Sequence, residues 1–194
     1  MLIASSSQTK PEIINYFLEL ISKYDPYTAT HSLNVKKLSV ELATRLNLSP
    51  KMINDISTAA LLHDIGKMKI SKNILTKSGK LSTFEYEIIK QHSEYGYQIL
   101  NNLDQLKDIA NAVLYHHEKF NGTGYPTRKS GETIPLISRI LAISDVYDAI
   151  TSDRCYRIAM SQENALKVIW DGRGTAFDPL LVDTFLIDKI GTYT

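Results

Sequence analysis

Apolar residues return at the helical interval of 3.6 along nearly the whole chain, and no stretch alternates with the period of two that a half-buried strand requires. That pattern confines the chain to an all-α fold. Pro11 suits a first turn, and Ile13, Ile14, Phe17, Leu18 and Ile21 make one face that stops near Tyr24-Asp25-Pro26. A second helix is expected from around Thr28–His31, with Val35, Leu38, Leu42 and Leu46 inward. Ser49 then caps a new helix that Pro50 opens. Its stripe of Ile53, Ile56 and Ala60 runs into Leu62-His63-Asp64-Ile65-Gly66-Lys67, where Gly66 is expected to end the helix. Lys69 to Lys80 reads as a loop or short turn, and Ser82 to Glu85 as a capping box. Phe84 and Ile88 form a face that His92 extends, a short helix follows over Tyr95 to Leu100, and Ile109 and Val113 lead to His116. Asn121-Gly122-Thr123-Gly124-Tyr125-Pro126 is a glycine-rich turn. Pro135 to Thr151 is a strongly apolar helix with Asp145 and Asp148 on one face, and further helices open at Ser161 and Pro179. The expectation is a single compact helical domain of seven or more helices over residues 13–194, preceded by a flexible segment, 1–12.

Composition removes several classes of function. Cys155 is the only cysteine of the 194 residues, which leaves no internal disulfide and no cysteine-based zinc site. A net charge of +1 gives no global attraction to nucleic acid or to a membrane, so any anion must be held locally. No run of about 20 apolar residues is present to span a membrane, and no leader pattern is evident, so a cytoplasmic location is expected.

The five histidines, His31, His63, His92, His116 and His117, each lie on or at the end of a stripe that should face the core. One buried histidine is readily satisfied by core hydrogen bonds. Five of them, together with inward-facing Asp64 and Asp145, are far harder to satisfy mutually, because an uncompensated buried carboxylate costs several kcal/mol or shifts its pKa. Divalent cations remove both difficulties. Imidazole and carboxylate donors without thiolate suit iron, manganese or zinc, with iron or manganese favoured. Seven ligands serve two metals if one carboxylate bridges. His31, His63, Asp64 and Asp145 would hold one ion, and Asp64, His92, His116 and His117 the other. Lys67 would set a positive charge beside any anion held there. Such a layout suits attack on phosphorus by a hydroxide bridging the two ions.

Six spaced segments then carry a family likeness. They are Asp25 to Ser32; Leu62 to Lys67; Ile89-Lys90-Gln91-His92; His116-His117-Glu118 with Asn121 to Pro126; Asp145-Val146-Tyr147-Asp148-Ala149; and Asp153-Arg154-Cys155-Tyr156-Arg157, with Phe177-Asp178-Pro179 closing. In these the chain resembles HD-GYP domains, the bacterial cyclic di-GMP phosphodiesterase branch of the HD superfamily, over roughly residues 13–190. The resemblance implies the same seven ligands. It implies that Lys67 contacts a substrate phosphate, and that Asp148, Arg154 and Arg157 help to hold cyclic di-GMP. It further implies opening to pGpG, with a second cut to GMP possible in the family. It places the loop of Gly122, Gly124, Tyr125 and Pro126 near the site, as a docking surface for a GGDEF-domain protein. Two positions depart from the family pattern. Asn121 stands where an aspartate is usual, and it should keep the turn through its side-chain acceptor. Tyr27 stands where some members carry an acidic residue for a third metal, which favours two. The competing expectations are a non-catalytic cyclic-dinucleotide sensor or docking module, and an HD phosphohydrolase acting on a mononucleotide or alarmone.

Overall fold

The computed structural model describes residues 9–153 and 158–187, so Arg154 and Arg157 lie outside the described residues. Among the described residues the chain is all helical: α1 (Lys10–Tyr24), α2 (Pro26–Arg45), α3 (Pro50–Leu62), α4 (Lys72–Leu75), α5 (Thr83–Lys90), α6 (His92–Asn101), α7 (Lys107–Leu114), α8 (Leu136–Thr151), α9 (Gln162–Asp171) and α10 (Pro179–Leu186), with 3-10 turns at Ile65–Lys69 and Gly131–Thr133. No strand forms among these residues; one isolated bridge pairs Arg173 with Phe177. No helix among them is long and apolar enough to cross a membrane.

Local chemistry sets the helix ends. Ser49 accepts from the Met52 N–H at 3.3 Å, and Ser82 and Glu85 form a reciprocal capping box. The second helix starts earlier than its apolar stripe suggests. Asp25 accepts from the Tyr27 N–H at 3.1 Å and from the Thr28 hydroxyl at 2.7 Å, so Pro26 both ends α1 and opens α2. The α5 stripe departs from expectation in phase. The helix breaks at Gln91, and Phe84 is 74% exposed rather than continuing a face to His92.

Two apolar clusters hold the bundle. One gathers Ile13 and Ile21 of α1, Val35 of α2, the end of α3, Leu100, α7 and Leu141. The other gathers Leu42, Ala43, Ile56, and the apolar faces of α8, α9 and α10. α8 feeds both, with Ile140, Leu141 and Ile143 fully buried. This matches a helix covered on several sides, and it sets Asp145 and Asp148 against α2.

Gly66 does something other than end α3, which has already stopped at Leu62. A Cβ at Gly66 would stand 1.9 Å from the His92 carbonyl oxygen and 2.6 Å from the Gly96 nitrogen. The glycine is there because the 3-10 turn and α6 cross in backbone contact. That crossing fixes where His92 stands relative to Asp64.

Candidate metal centre

Three helices end just short of a histidine, and each supplies an unspent last-turn carbonyl to that ring. His63 Nδ1 donates to Ala60 O (2.8 Å), His92 Nδ1 to Ile89 O (2.7 Å) and His116 Nδ1 to Val113 O (2.6 Å). A carbonyl can only accept, so the proton of each neutral ring sits on Nδ1 and the Nε2 lone pair points inward. His31 uses a carboxylate for the same purpose: its Nδ1 lies 2.6 Å from Asp148 Oδ2.

The inward atoms converge on Asp64. Its Oδ2 lies 3.3 Å from His63 Nε2 and 3.9 Å from His31 Nε2, while its Oδ1 lies 3.4 Å from His92 Nε2. His92 Nε2 is 3.3 Å from His116 Nε2 and 3.2 Å from His117 Nε2. Asp145 Oδ1 reaches His31 Nε2 at 3.0 Å, and its Oδ2 lies 3.9 Å from His117 Nδ1. His31, His63, Asp64, His92 and His116 are buried, and His117 keeps 27% of its side chain exposed.

Donor chemistry tests whether these residues suit a cation. With Nδ1 protonated, His63 Nε2 and Asp64 Oδ2 are two acceptors face to face, and His63 Nε2 is buried with no hydrogen-bond partner. His92 and His116 present a second pair of opposed lone pairs. Buried acceptors aimed at one another repel unless a positive charge stands among them, and the donor set therefore fits divalent metal. Three groups have donor atoms all within 4.8 Å of one another: His92, His116 and His117; His31, His63 and Asp64; and His63, His116 and Asp145. The first two follow the division read from the sequence, and the third runs across it.

Without metal, the local charges divide the rings. Burial pushes His116 well below its ordinary value, helped by His117 and His92, and pushes His117 down to about 3. His92 is lowered by the same burial, partly offset by Asp64. Burial also disfavours a charged His31, but Asp145 and Asp148 outweigh it and hold the ring up at about 9. Asp64 resists the upward push of burial because Lys67 and His63 hold it well below the carboxylate range.

Other residues singled out in the sequence lie around this set or on the adjoining loop. Asp148, implied as a contact to the dinucleotide, is 4% exposed and lies behind the His31 ring. Lys67 bonds Asp64 Oδ2 at 2.6 Å. Tyr27 lies parallel to the His31 ring, with centroids 6.1 Å apart and 7° between the planes. Asn121 does keep its turn, accepting from the Thr123 N–H at 3.1 Å and hydroxyl at 2.7 Å. Sequence reasoning gave no role to Glu118, which is 3% exposed and accepts from the Thr127 N–H at 2.7 Å and hydroxyl at 2.9 Å. This bond ties down the far side of the loop whose Tyr125 ring packs 4.9 Å from His117. The signal was a charged residue directly after two inward histidines.

The HD domain family profile matches residues 15–181. A Vibrio cholerae protein named "probable cyclic di-GMP phosphodiesterase" is 41% identical over 181 residues, covering 85% of this chain and 41% of its own length. A 3'3'-cGAMP-specific phosphodiesterase of the same organism is 39% identical, covering 86% of this chain and 36% of its own. This chain thus spans less than half the length of these relatives. Among solved structures, an HDG"Y"P protein from Bdellovibrio bacteriovorus superposes with a TM-score of 0.66 at 21% identity, over 90% of this chain and 62% of that one, a likeness of fold. With its motifs in order and its fold shared, the chain belongs to the HD domain family, in the HD-GYP branch.

Proposed function

We propose that this chain, with residues 13–194 as its HD-GYP domain, is a phosphodiesterase that opens cyclic di-GMP to pGpG, and that it carries two divalent ions, iron or manganese. The observation that carries the reading is Asp64, a buried carboxylate whose two oxygens face two different sets of imidazole nitrogens. His31, His63 and Asp145 would complete one set, and His92, His116 and His117 the other. The curated relatives, named for cyclic di-GMP and for 3'3'-cGAMP, support a cyclic dinucleotide as the substrate class.

Bound metals would supply Lewis-acid polarisation of phosphoryl oxygens and a nucleophile at neutral pH. The chain's own residues do the rest. The anchored Nδ1–H groups keep four rings in one tautomer and orientation, so the lone pairs need no reorganisation. Lys67 holds a cation at the rim, where 27% of its side chain is exposed, and would meet a phosphoryl oxygen there. Burial of Asp64 and of the rings keeps bulk water from screening that charge. The GGDEF docking implied by the resemblance draws no support from the comparisons.

The test is metal content and cyclic di-GMP turnover on the same purified sample, beside Asp64→Ala. The expected result is about two metals per chain, with turnover down by about three orders of magnitude in the variant. Two metals and tight binding without turnover would instead make the chain a sensor. Absence of metal after incubation with iron or manganese would overturn the reading of the histidines.

A further inference from the structure

Beyond Tyr125 lies a cavity of about 580 Å³ that the metal centre does not use. Three cations line it, Lys90, Lys119 and Arg128, with the rings of Tyr86 and Tyr125, and no acidic side chain is among its lining residues. Lys90 Nζ stands 5.5 Å from each tyrosine centroid and pairs with Glu87 at 2.6 Å. Lys119 and Arg128 are exposed and make no ion pair among the described residues. Arg128 has a positive φ of 58°, a left-handed conformation that suits glycine far better than arginine. Strained backbone of this kind is concentrated at functional sites.

The cavity adjoins the open side of the metal centre. The Tyr125 ring that forms one wall packs on His117, whose side chain, 27% exposed, is the most open of the seven candidate ligands. A ligand too large for the metal centre would pass over that edge. Cations beside aromatic faces suit an anion carrying a flat base.

We infer that this cavity is a second nucleotide subsite: Lys119 and Arg128 bind the phosphate of the cyclic dinucleotide that is not being cut, and the tyrosines flank its base. This rests on the phosphodiesterase reading above. It differs from that reading in naming residues outside the metal centre and in concerning only the uncut half of the substrate.

The test compares cyclic di-GMP with bis(p-nitrophenyl) phosphate, a diester lacking both the second phosphate and the bases, on the metal-loaded protein. The variants are Lys119→Ala and Arg128→Gly; glycine relieves the left-handed backbone, so that variant should melt no lower than the parent. The ratio of the two kcat/KM values should fall about tenfold or more in each variant, mainly through KM for cyclic di-GMP. An unchanged ratio overturns the subsite and leaves the phosphodiesterase reading standing. If the parent binds cyclic di-GMP without cutting it, calorimetric affinity replaces the ratio: a tenfold loss in the variants supports the subsite while the hydrolase reading falls, and equal affinity overturns it. A parent that neither binds nor cuts cyclic di-GMP overturns both.

Discussion

Asp145 and Asp148 stand three residues apart on α8 and take opposite nitrogens of one imidazole, His31. Only Asp145 remains beside the other candidate ligands; Asp148 fixes the ring from behind. Asp148→Asn keeps the shape and removes the charge, so a metal-competition titration should show affinity lower by about 10- to 100-fold. Unchanged affinity would mean that the His31 ring is held by packing alone. Helical spacing reveals that both aspartates share a face. Which of them reaches the metal side depends on the rotation of α8 against α2, and Ile140, Leu141 and Ile143 set that rotation through contacts distant in sequence. The anchoring of the other rings was closer to legible. His63, His92 and His116 each follow a helix end by one or two residues, where the last-turn carbonyls have no partner within the helix.

At the scale of elements, the crossing of the 3-10 turn with α6 is the tightest constraint on the centre. Gly66→Ala would drive a methyl group into the His92 carbonyl, and separating two backbones costs more than moving a side chain. A loss of about 3 kcal/mol is expected in urea denaturation, accompanied by weaker metal binding. Stability unchanged within error would show that the turn yields freely. Gly66 was read as a helix stop because glycine after an apolar stripe usually is one. Gly96, thirty positions later in the chain, was the matching half of the signal, and nothing local couples the two. The α5 stripe failed for a related reason: Phe84, Ile88 and His92 share a phase only if the helix is continuous, and it breaks at Gln91. The Glu118 tie predicts that Glu118→Ala loses about 2 kcal/mol, since the Thr127 N–H is left without its acceptor. A urea midpoint equal to that of the parent would remove the tie from the account.

For the molecule as a whole, the helical class and the order of most helices were legible, because amphipathic periodicity reports on local structure. The two-cluster packing was not, since it depends on how α2, α3 and α8 are shared. The metal-free protein should have a stability maximum near pH 6.5. Between about 3 and 6.5 the unfolded chain holds a proton on His117 that the folded chain lacks, so stability drops as the pH falls. Between 6.5 and about 9 the folded chain holds a proton on His31 that the unfolded chain lacks, so stability drops as the pH rises. Melting temperatures of chelator-treated protein across that range check both limbs, and a flat profile would contradict them. Loading with metal should add about 2.7 kcal/mol per site when free metal is a hundredfold above Kd. His31 and Asp148 are 117 residues apart in the chain, and the helices that carry them, α2 and α8, each contribute to both apolar clusters. The seven donors therefore exist as a set only after the bundle has closed. During refolding, uptake of metal should keep pace with recovery of the full circular-dichroism signal and never run ahead of it, so that a loaded centre certifies a finished chain.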